Sequence, residues 1–168
     1  DSAEAAVFQM AVARAVHPDD ARSLSAAFED PLVIDLVLTE GGWFEAFLER
    51  RGPLLPEDEQ LLAASWVLVP RTVYEVDAVE PGRSVLVRDL RTGERTEVTE
   101  RTFSREARTG TLVCARAVPD GPGHQFVGAI FGVPPGRGGG LLELLDEANA
   151  DGDGTVDHGD WLLPAAGE

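Results

Sequence analysis

The chain has no lysine, a single cysteine and no long apolar run, and each of these absences narrows its class. Its 14 basic residues are all arginine and stand against 30 acidic residues, which gives a formal net charge of −16. Such a charge disfavours nucleic-acid backbones and anionic lipid as general partners, and it favours cations and basic proteins. The lone Cys114 excludes an internal disulfide and a cysteine-built zinc site within these residues.

No hydrophobic stretch is long enough for a transmembrane helix. The most apolar segment, P-L-V-I-D-L-V-L at 31–38, is interrupted by Asp35 and falls far short of the roughly 18 residues that a membrane span needs. Asp1 and Glu4 stand where a signal peptide would carry basic residues. We therefore expect a cytoplasmic protein with no membrane partner, and Asp1 in place of methionine indicates a processed chain or an excised fragment.

Residues 1–66 have the pattern of a helical region. The alanine-rich stretch 2–16 has no glycine or proline and favours one helix, and a second helix can begin after Asp19 or Asp20 as its capping residue. Pro56 is followed directly by three acidic residues. This predicts another helix start, because carboxylates stabilise the positive end of the helix dipole.

Residues 67–134 change to a strand pattern. Short segments rich in β-branched and aromatic residues are separated by turn signals such as E-P-G and P-D-G-P-G. Strands this close in sequence pair with their neighbours, and a closed barrel hides their edges, so we predict a small antiparallel five-stranded β-barrel or meander. The five segments are 67–76, 83–90, 94–100, 110–118 and 124–133.

The fold class that follows is α+β. An N-terminal helical layer, residues 1–66, is expected to pack on the small barrel of residues 67–134. Residues 135–168 then form a glycine linker, a short helix and an acidic loop. We expect one compact domain with this C-terminal extension.

The segment N-A-D-G-D-G-T-V-D-H-G-D, residues 149–160, places oxygen-bearing side chains at the spacing of a calcium loop. Calcium takes about six to eight oxygen ligands, and a loop of roughly twelve residues can supply them if a glycine at its centre allows the turn. Gly154 stands at that central position. The candidate metal ligands are Asn149, Asp151, Asp153, Thr155 through its carbonyl, Asp157 and Asp160.

This segment resembles an EF-hand loop and the single-loop variants of dockerin-type modules. The resemblance implies one Ca²⁺ site that tolerates Mg²⁺, because Asp160 reaches less far than the usual bidentate glutamate. Asn149 also removes one negative charge from the first position, so we expect a weak affinity, on the order of 10⁻⁴ M. The alternative interpretation is a solvated acidic loop that matches the pattern through its composition.

Other reactive residues do not form a recognisable catalytic pattern. Cys114 lies in the apolar run T-L-V-C-A, which is typical of a buried small hydrophobic residue. The three histidines, His17, His124 and His158, stand in unrelated contexts. The run G-R-G-G-G at 136–140 lacks the lysine of a phosphate loop and favours a linker. We therefore predict a protein that is not an enzyme.

Arginines are concentrated in the predicted barrel. From Arg71 to Arg116, nine arginines stand against eight acidic residues, a net charge of +1, so the rest of the chain carries −17. A nucleic-acid-binding barrel is therefore one alternative function, although the interleaved acids favour a solvated hairpin with cross-strand ion pairs. The alternative requires one shared face for five arginines. These are Arg83, Arg88, Arg91, Arg95 and Arg101.

Four segments of the body carry a family resemblance: E-G-G-W-F-E-A-F-L-E-R-R-G-P-L-L-P-E-D-E-Q-L-L, V-Y-E-V-D-A-V-E-P-G, V-R-D-L-R-T-G-E-R and V-C-A-R-A-V-P-D-G-P-G-H-Q-F-V-G. Over residues 31–134 the chain is similar to the middle region of uncharacterised actinobacterial proteins that bear a SEC-C motif. The SEC-C metal cluster needs several cysteines, which this chain lacks, so no zinc ligand is implied. The resemblance implies a non-enzymatic domain, such as an adaptor.

The function that we predict from these observations is a non-catalytic interaction or adaptor domain with an unknown protein partner. One weak structural calcium site is the accompanying hypothesis. The two alternatives are a calcium-binding module with a regulatory role and a small barrel that binds nucleic acid through its arginine-rich hairpin.

Overall fold

The computed structural model describes residues 20–29, 35, 38–39 and 42–152, with side chains described for all of these except 24, 27–28 and 148–152. The α-helices in this part of the chain are α1 (Ala21–Phe28), α2 (Trp43–Arg51), α3 (Glu57–Val67), α4 (Phe103–Glu106) and α5 (Gly138–Gly152), with a 3₁₀ turn at Gly52–Leu54. The strands are β1 (Thr72–Glu80), β2 (Ser84–Asp89), β3 (Arg95–Thr99), β4 (Leu112–Pro119) and β5 (His124–Val133).

The five strands close into a barrel in the order β1-β2-β3-β5-β4. Four neighbouring pairs are antiparallel, and the fifth pair, β3 with β5, is parallel, with Thr99 opposite Gln125. The prediction of an entirely antiparallel barrel is therefore wrong at one junction. The reason is topological, since strand direction cannot alternate around a closed ring with an odd number of strands.

The interior of the barrel is filled mainly by valine. Val76, Val87 and Val98 are fully buried, and β-branched side chains of this kind pack well on a pleated surface. The aromatic ring of Phe126 lies 6.1 Å from that of Tyr74 and 6.2 Å from that of Phe103. These contacts place α4 against the barrel core, and α4 is a helix that the sequence pattern did not predict.

The C-terminal helix α5 covers one outer side of the barrel. Its leucines Leu141, Leu142 and Leu145 pack against a small cluster of Val73, Cys114 and Val133. This contact buries the side of the barrel formed by β1, β4 and the end of β5, and it confirms that Cys114 is a buried residue.

The predicted glycine linker is shorter than expected, because Gly138–Gly140 belong to the first turn of α5. A methyl group on Gly138 would lie 3.0 Å from Leu90 Cδ1 and 3.3 Å from Leu112 Cδ1. The absence of a side chain therefore allows the helix to start close against the barrel.

The boundary between the helical and strand regions also differs from the prediction. Residue 67 was expected to open the first strand, but α3 continues to Val67, and β1 begins only at Thr72. The N–H of Leu68 donates to the Ser65 carbonyl at 3.2 Å, and that of Val69 donates to the Trp66 carbonyl at 3.2 Å. Trp66 in the last helical turn donates its indole N–H to the Pro119 carbonyl of the barrel at 2.7 Å, a long-range contact that local β-propensity does not include.

The α+β class and the small five-stranded barrel are confirmed. Asp20 caps α1 as predicted, since its Oδ2 accepts the N–H of Ser23 at 3.2 Å, and α3 begins at Glu57, directly after Pro56. Most of residues 1–41 lies outside the described ranges, so the complete helical layer stays a prediction. Within the ranges given above, no helix combines the length and the apolar character needed to cross a membrane.

Candidate functional site

A cleft of about 380 Å³ lies between the helical side of the molecule and the outer face of β4 and β5. Its walls are mainly apolar and come from both layers. The apolar lining residues are Leu38, Phe44, Trp66, Val67, Val118, Val127 and Ala129. We name this space the aromatic cleft.

Two aromatic rings form the helical wall of the aromatic cleft. Phe44 of α2 and Trp66 of α3 are stacked, with ring centroids 6.4 Å apart and an angle of 21° between their planes. Trp66 Nε1–H donates to the Pro119 carbonyl at 2.7 Å. This hydrogen bond ties the indole to the end of β4, so the ring orientation is set by the barrel as well as by the helix.

The polar end of the cleft is built around a buried ion pair between Asp35 and Arg71, which are 5% and 4% exposed. Arg71 Nη1 also donates to the Ala129 carbonyl at 3.1 Å, and its guanidinium carbon lies 5.8 Å from the centroid of the Phe131 ring. Burial is the main cause that lowers the pKa of the Arg71 guanidinium from its ordinary value. Cys114 partly opposes this lowering of the Arg71 pKa, and the charge of Arg116 adds to it.

Gly128 makes room for this ion pair. Its φ is +74°, and a Cβ atom at this position would overlap the carboxylate of Asp35. The pairing of β4 with β5 is irregular between Cys114 and Arg116, which is the pattern of a bulge. A glycine in the bulge therefore lets a carboxylate from outside the barrel approach the backbone of β5.

Two further polar side chains complete this end of the cleft. Arg116 is 7% exposed, and its Nη1 donates to the Val69 carbonyl at 2.9 Å. Thr39 Oγ1 donates to the Asp35 backbone carbonyl at 2.6 Å, which leaves the hydroxyl oxygen able to accept a hydrogen bond. The aromatic cleft is thus apolar along its walls and polar at one end.

A second candidate surface is exposed on α3 and on Leu68, the residue that ends this helix. Leu61, Ala64 and Leu68 recur at the spacing of one helix face, and the two leucines are 67% and 81% exposed. We name these three residues the α3 stripe. Leu54, in the 3₁₀ turn before α3, is also 73% exposed.

The surroundings of the α3 stripe are acidic. Between residues 42 and 68 there are five acidic residues and two arginines, all exposed, which gives this helical region a net charge of −3. Glu57, Asp58 and Glu59 lie in the first turn of α3, where they also favour the helix dipole. The stripe therefore offers apolar contacts within a negative field.

The predicted calcium ligands fall at the limit of the described residues. Asn149 and Asp151 lie in the last turn of α5, where the backbone is helical to Gly152. The side chains of these two residues, and all of Asp153, Thr155, Asp157 and Asp160, lie outside the described part of the chain. Among the side chains that are described, no group of three histidine, cysteine or acidic residues could hold a metal ion. The calcium site stays a prediction.

The arginine-rich hairpin is formed by β2, β3 and the turn between them. Here, four of the five hairpin arginines have acidic partners. The pairs are Arg83 with Glu80 (2.9 Å), Arg88 with Glu75 (2.6 Å), Arg91 with Asp146 (2.5 Å) and Arg95 with Asp77 (2.7 Å). These acids belong mostly to β1 and not to the hairpin itself, and they neutralise the charge that a phosphate backbone would need.

The aromatic cleft was not predicted from the sequence. Its one visible signal was Asp35, a single carboxylate inside an apolar run, which is unusual unless the side chain has a buried partner. No local sequence signal marked the other residues, because only the closure of the barrel brings together Arg71, Arg116 and Trp66. Of the three histidines, His17 and His158 lie outside the described residues, and His124 begins β5 as expected.

No family model, no curated protein and no solved structure matches this chain. The resemblances to SEC-C proteins and to EF-hand loops therefore stay predictions, and function has to be argued from the two surfaces above.

Proposed function

We propose that the chain is a non-catalytic interaction domain that binds a basic, amphipathic helix of a partner protein on the α3 stripe. The observation that carries the proposal is the pair of exposed leucines, Leu61 and Leu68, two turns apart on one helix face. Amphipathic helices commonly bind to such apolar faces through side chains at this spacing.

The charge of the surface defines the partner. The net charge of −3 on residues 42–68 and of −16 on the whole chain opposes self-association through this face and attracts a positively charged partner. Apolar contacts at Leu61 and Leu68 would supply affinity, and the surrounding acids would supply association rate and selectivity.

A designed peptide can test this proposal directly. The probe is a fluorescently labelled helical peptide of leucine and lysine, roughly 18 residues or five turns long. The control peptide has glutamate in place of every lysine. Fluorescence anisotropy should show binding of the basic peptide and much weaker binding of the acidic one. Higher ionic strength should weaken the complex, because the charges are exposed and salt screens them.

Substitutions on α3 locate the binding site. In the double variant Leu61→Ser, Leu68→Ser, we expect the affinity for the basic peptide to fall at least about tenfold, since covering each leucine contributes on the order of 1–2 kcal/mol. Leu144→Ser is the matched control, because Leu144 is 63% exposed on α5. Equal affinity in the double variant and in the control would contradict the proposal.

A further inference from the structure

We propose that the aromatic cleft is a binding site for a small, neutral and mainly apolar molecule that carries one polar group. This site is distinct from the α3 stripe, because none of the three stripe residues lines the cleft.

The size and the lining of the cleft fit such a ligand. A volume of about 380 Å³ falls within the range of roughly 300–1,000 Å³ that is usual for small-molecule sites. Such sites are lined mostly by apolar and aromatic side chains, with a few polar groups that orient the ligand. Phe44 and Trp66 provide aromatic contacts for a ligand, and Thr39 and Arg116 lie at the polar end.

The cleft is held open by contacts that do not involve a ligand. The hydrogen bond from Trp66 to Pro119 fixes the aromatic wall, and the Asp35–Arg71 ion pair anchors the opposite side to β5 beside Gly128. A preformed site binds with less loss of conformational entropy than one that must be ordered by its ligand.

The charges around the cleft indicate a neutral ligand. Among the residues that the structure describes, Asp35, Glu45 and Arg116 line the cleft and Arg71 pairs with Asp35, so these two acids and two arginines carry no net charge. An ionised ligand would bring an additional charge next to the buried pair, which is costly without a counter-charge. A hydroxyl, amide or carbonyl group can instead hydrogen-bond with Thr39 or Arg116.

Two dyes of matched shape can test the proposal. N-phenyl-naphthylamine is neutral and becomes fluorescent in apolar surroundings, whereas anilinonaphthalene sulfonate has a similar ring system and a negative charge. We expect the neutral dye to bind saturably, with one equivalent per chain and with quenching of tryptophan emission. The sulfonate should bind at least about tenfold more weakly, and equal affinity for the two dyes would overturn the inferred neutrality.

A substitution that fills the cleft locates the dye. Val127→Trp places a large side chain on the strand wall, and we expect the affinity for the neutral dye to fall at least tenfold while circular dichroism remains that of the parent chain. If this variant does not fold, Leu38→Trp gives the same test from the rim, where Leu38 is 46% exposed. Unchanged dye affinity in a folded filling variant would overturn the assignment.

The same dye separates this site from the partner surface. The double variant Leu61→Ser, Leu68→Ser should retain full affinity for N-phenyl-naphthylamine, because neither leucine lines the cleft. If that variant loses the dye and the cleft-filling variant keeps it, the dye binds to the exposed stripe and the cleft is not a ligand site. If the peptide does not bind but the neutral dye does, the proposal for the α3 stripe is contradicted and the proposal for the cleft still stands.

Discussion

Replacing Asp35 by alanine should destabilise the protein by about 3–5 kcal/mol, because the Arg71 guanidinium would remain buried without its carboxylate. Asp35 and Arg71 are 5% and 4% exposed, so water can replace little of the lost interaction. The Ala129 carbonyl, which accepts a hydrogen bond from Arg71 Nη1 at 3.1 Å, carries no full negative charge and cannot substitute for the carboxylate. The estimated loss is large beside the roughly 5–15 kcal/mol by which single domains are stable.

Urea unfolding followed by circular dichroism measures this loss. With a slope of about 2 kcal/mol per molar urea, the midpoint of Asp35→Ala should fall by about 1.5–2.5 M. The matched control is Glu80→Ala, which removes the partner of Arg83 from an ion pair whose side chains are 76% and 55% exposed. That exposed pair should contribute only about 0–1 kcal/mol.

Two further variants identify the physical cause. The double replacement Asp35→Leu, Arg71→Met should recover most of the lost stability, because an apolar pair of similar volume avoids the desolvated charge. Gly128→Ala should also destabilise the fold, since its Cβ would overlap the Asp35 carboxylate and its φ is +74°. If the midpoint of Asp35→Ala falls no further than that of Glu80→Ala, the ion pair is not buried in solution and the reasoning is refuted.

Two remaining predictions concern the barrel core and the acidic segment. Burial raises the pKa of Tyr74, the one tyrosine in the chain, so the stability it contributes should be complete below about pH 10 and should fall as the pH rises through the higher folded value. Urea midpoints measured from neutral to alkaline pH should show this fall in stability, and the Tyr74→Phe variant should show a smaller one. If the tyrosinate absorbance of the native protein titrates near about pH 10, the prediction is contradicted. For the calcium hypothesis, calorimetry should show Ca²⁺ binding with a dissociation constant of about 10⁻⁴ M. The Asp153→Ala variant should lose this binding, and the Glu143→Ala variant should keep it. The absence of any binding heat at millimolar Ca²⁺ would contradict the hypothesis.

Several elements of the fold were accessible from local sequence signals. The five strand segments were identified because their β-branched residues are separated by turn sequences, and four of the five begin within about two residues of the observed strands. The start of α3 after Pro56 followed from the acidic first turn. These features depend on residues that are neighbours in the chain, which is why a single sequence contains them.

The boundaries that were missed depend on contacts between distant residues. The last turn of α3 ends in residues with high β-propensity, but the Trp66 side chain there is hydrogen-bonded to the Pro119 carbonyl of the barrel. Gly138–Gly140 has the composition of a linker, yet α5 starts there because the glycine at 138 permits close approach to Leu90 and Leu112. Tertiary contacts overrode local preference in both places.

The sequence by itself determined the charge, the α+β class and the number of strands, because composition and periodicity are local properties. Tertiary structure alone decided the aromatic cleft and its ion pair. Asp35 and Arg71 are 36 positions apart in the chain, and Gly128 lies far beyond both. They meet because a bulge in β5 faces the helical side of a closed barrel, and no pattern of adjacent residues encodes that juxtaposition.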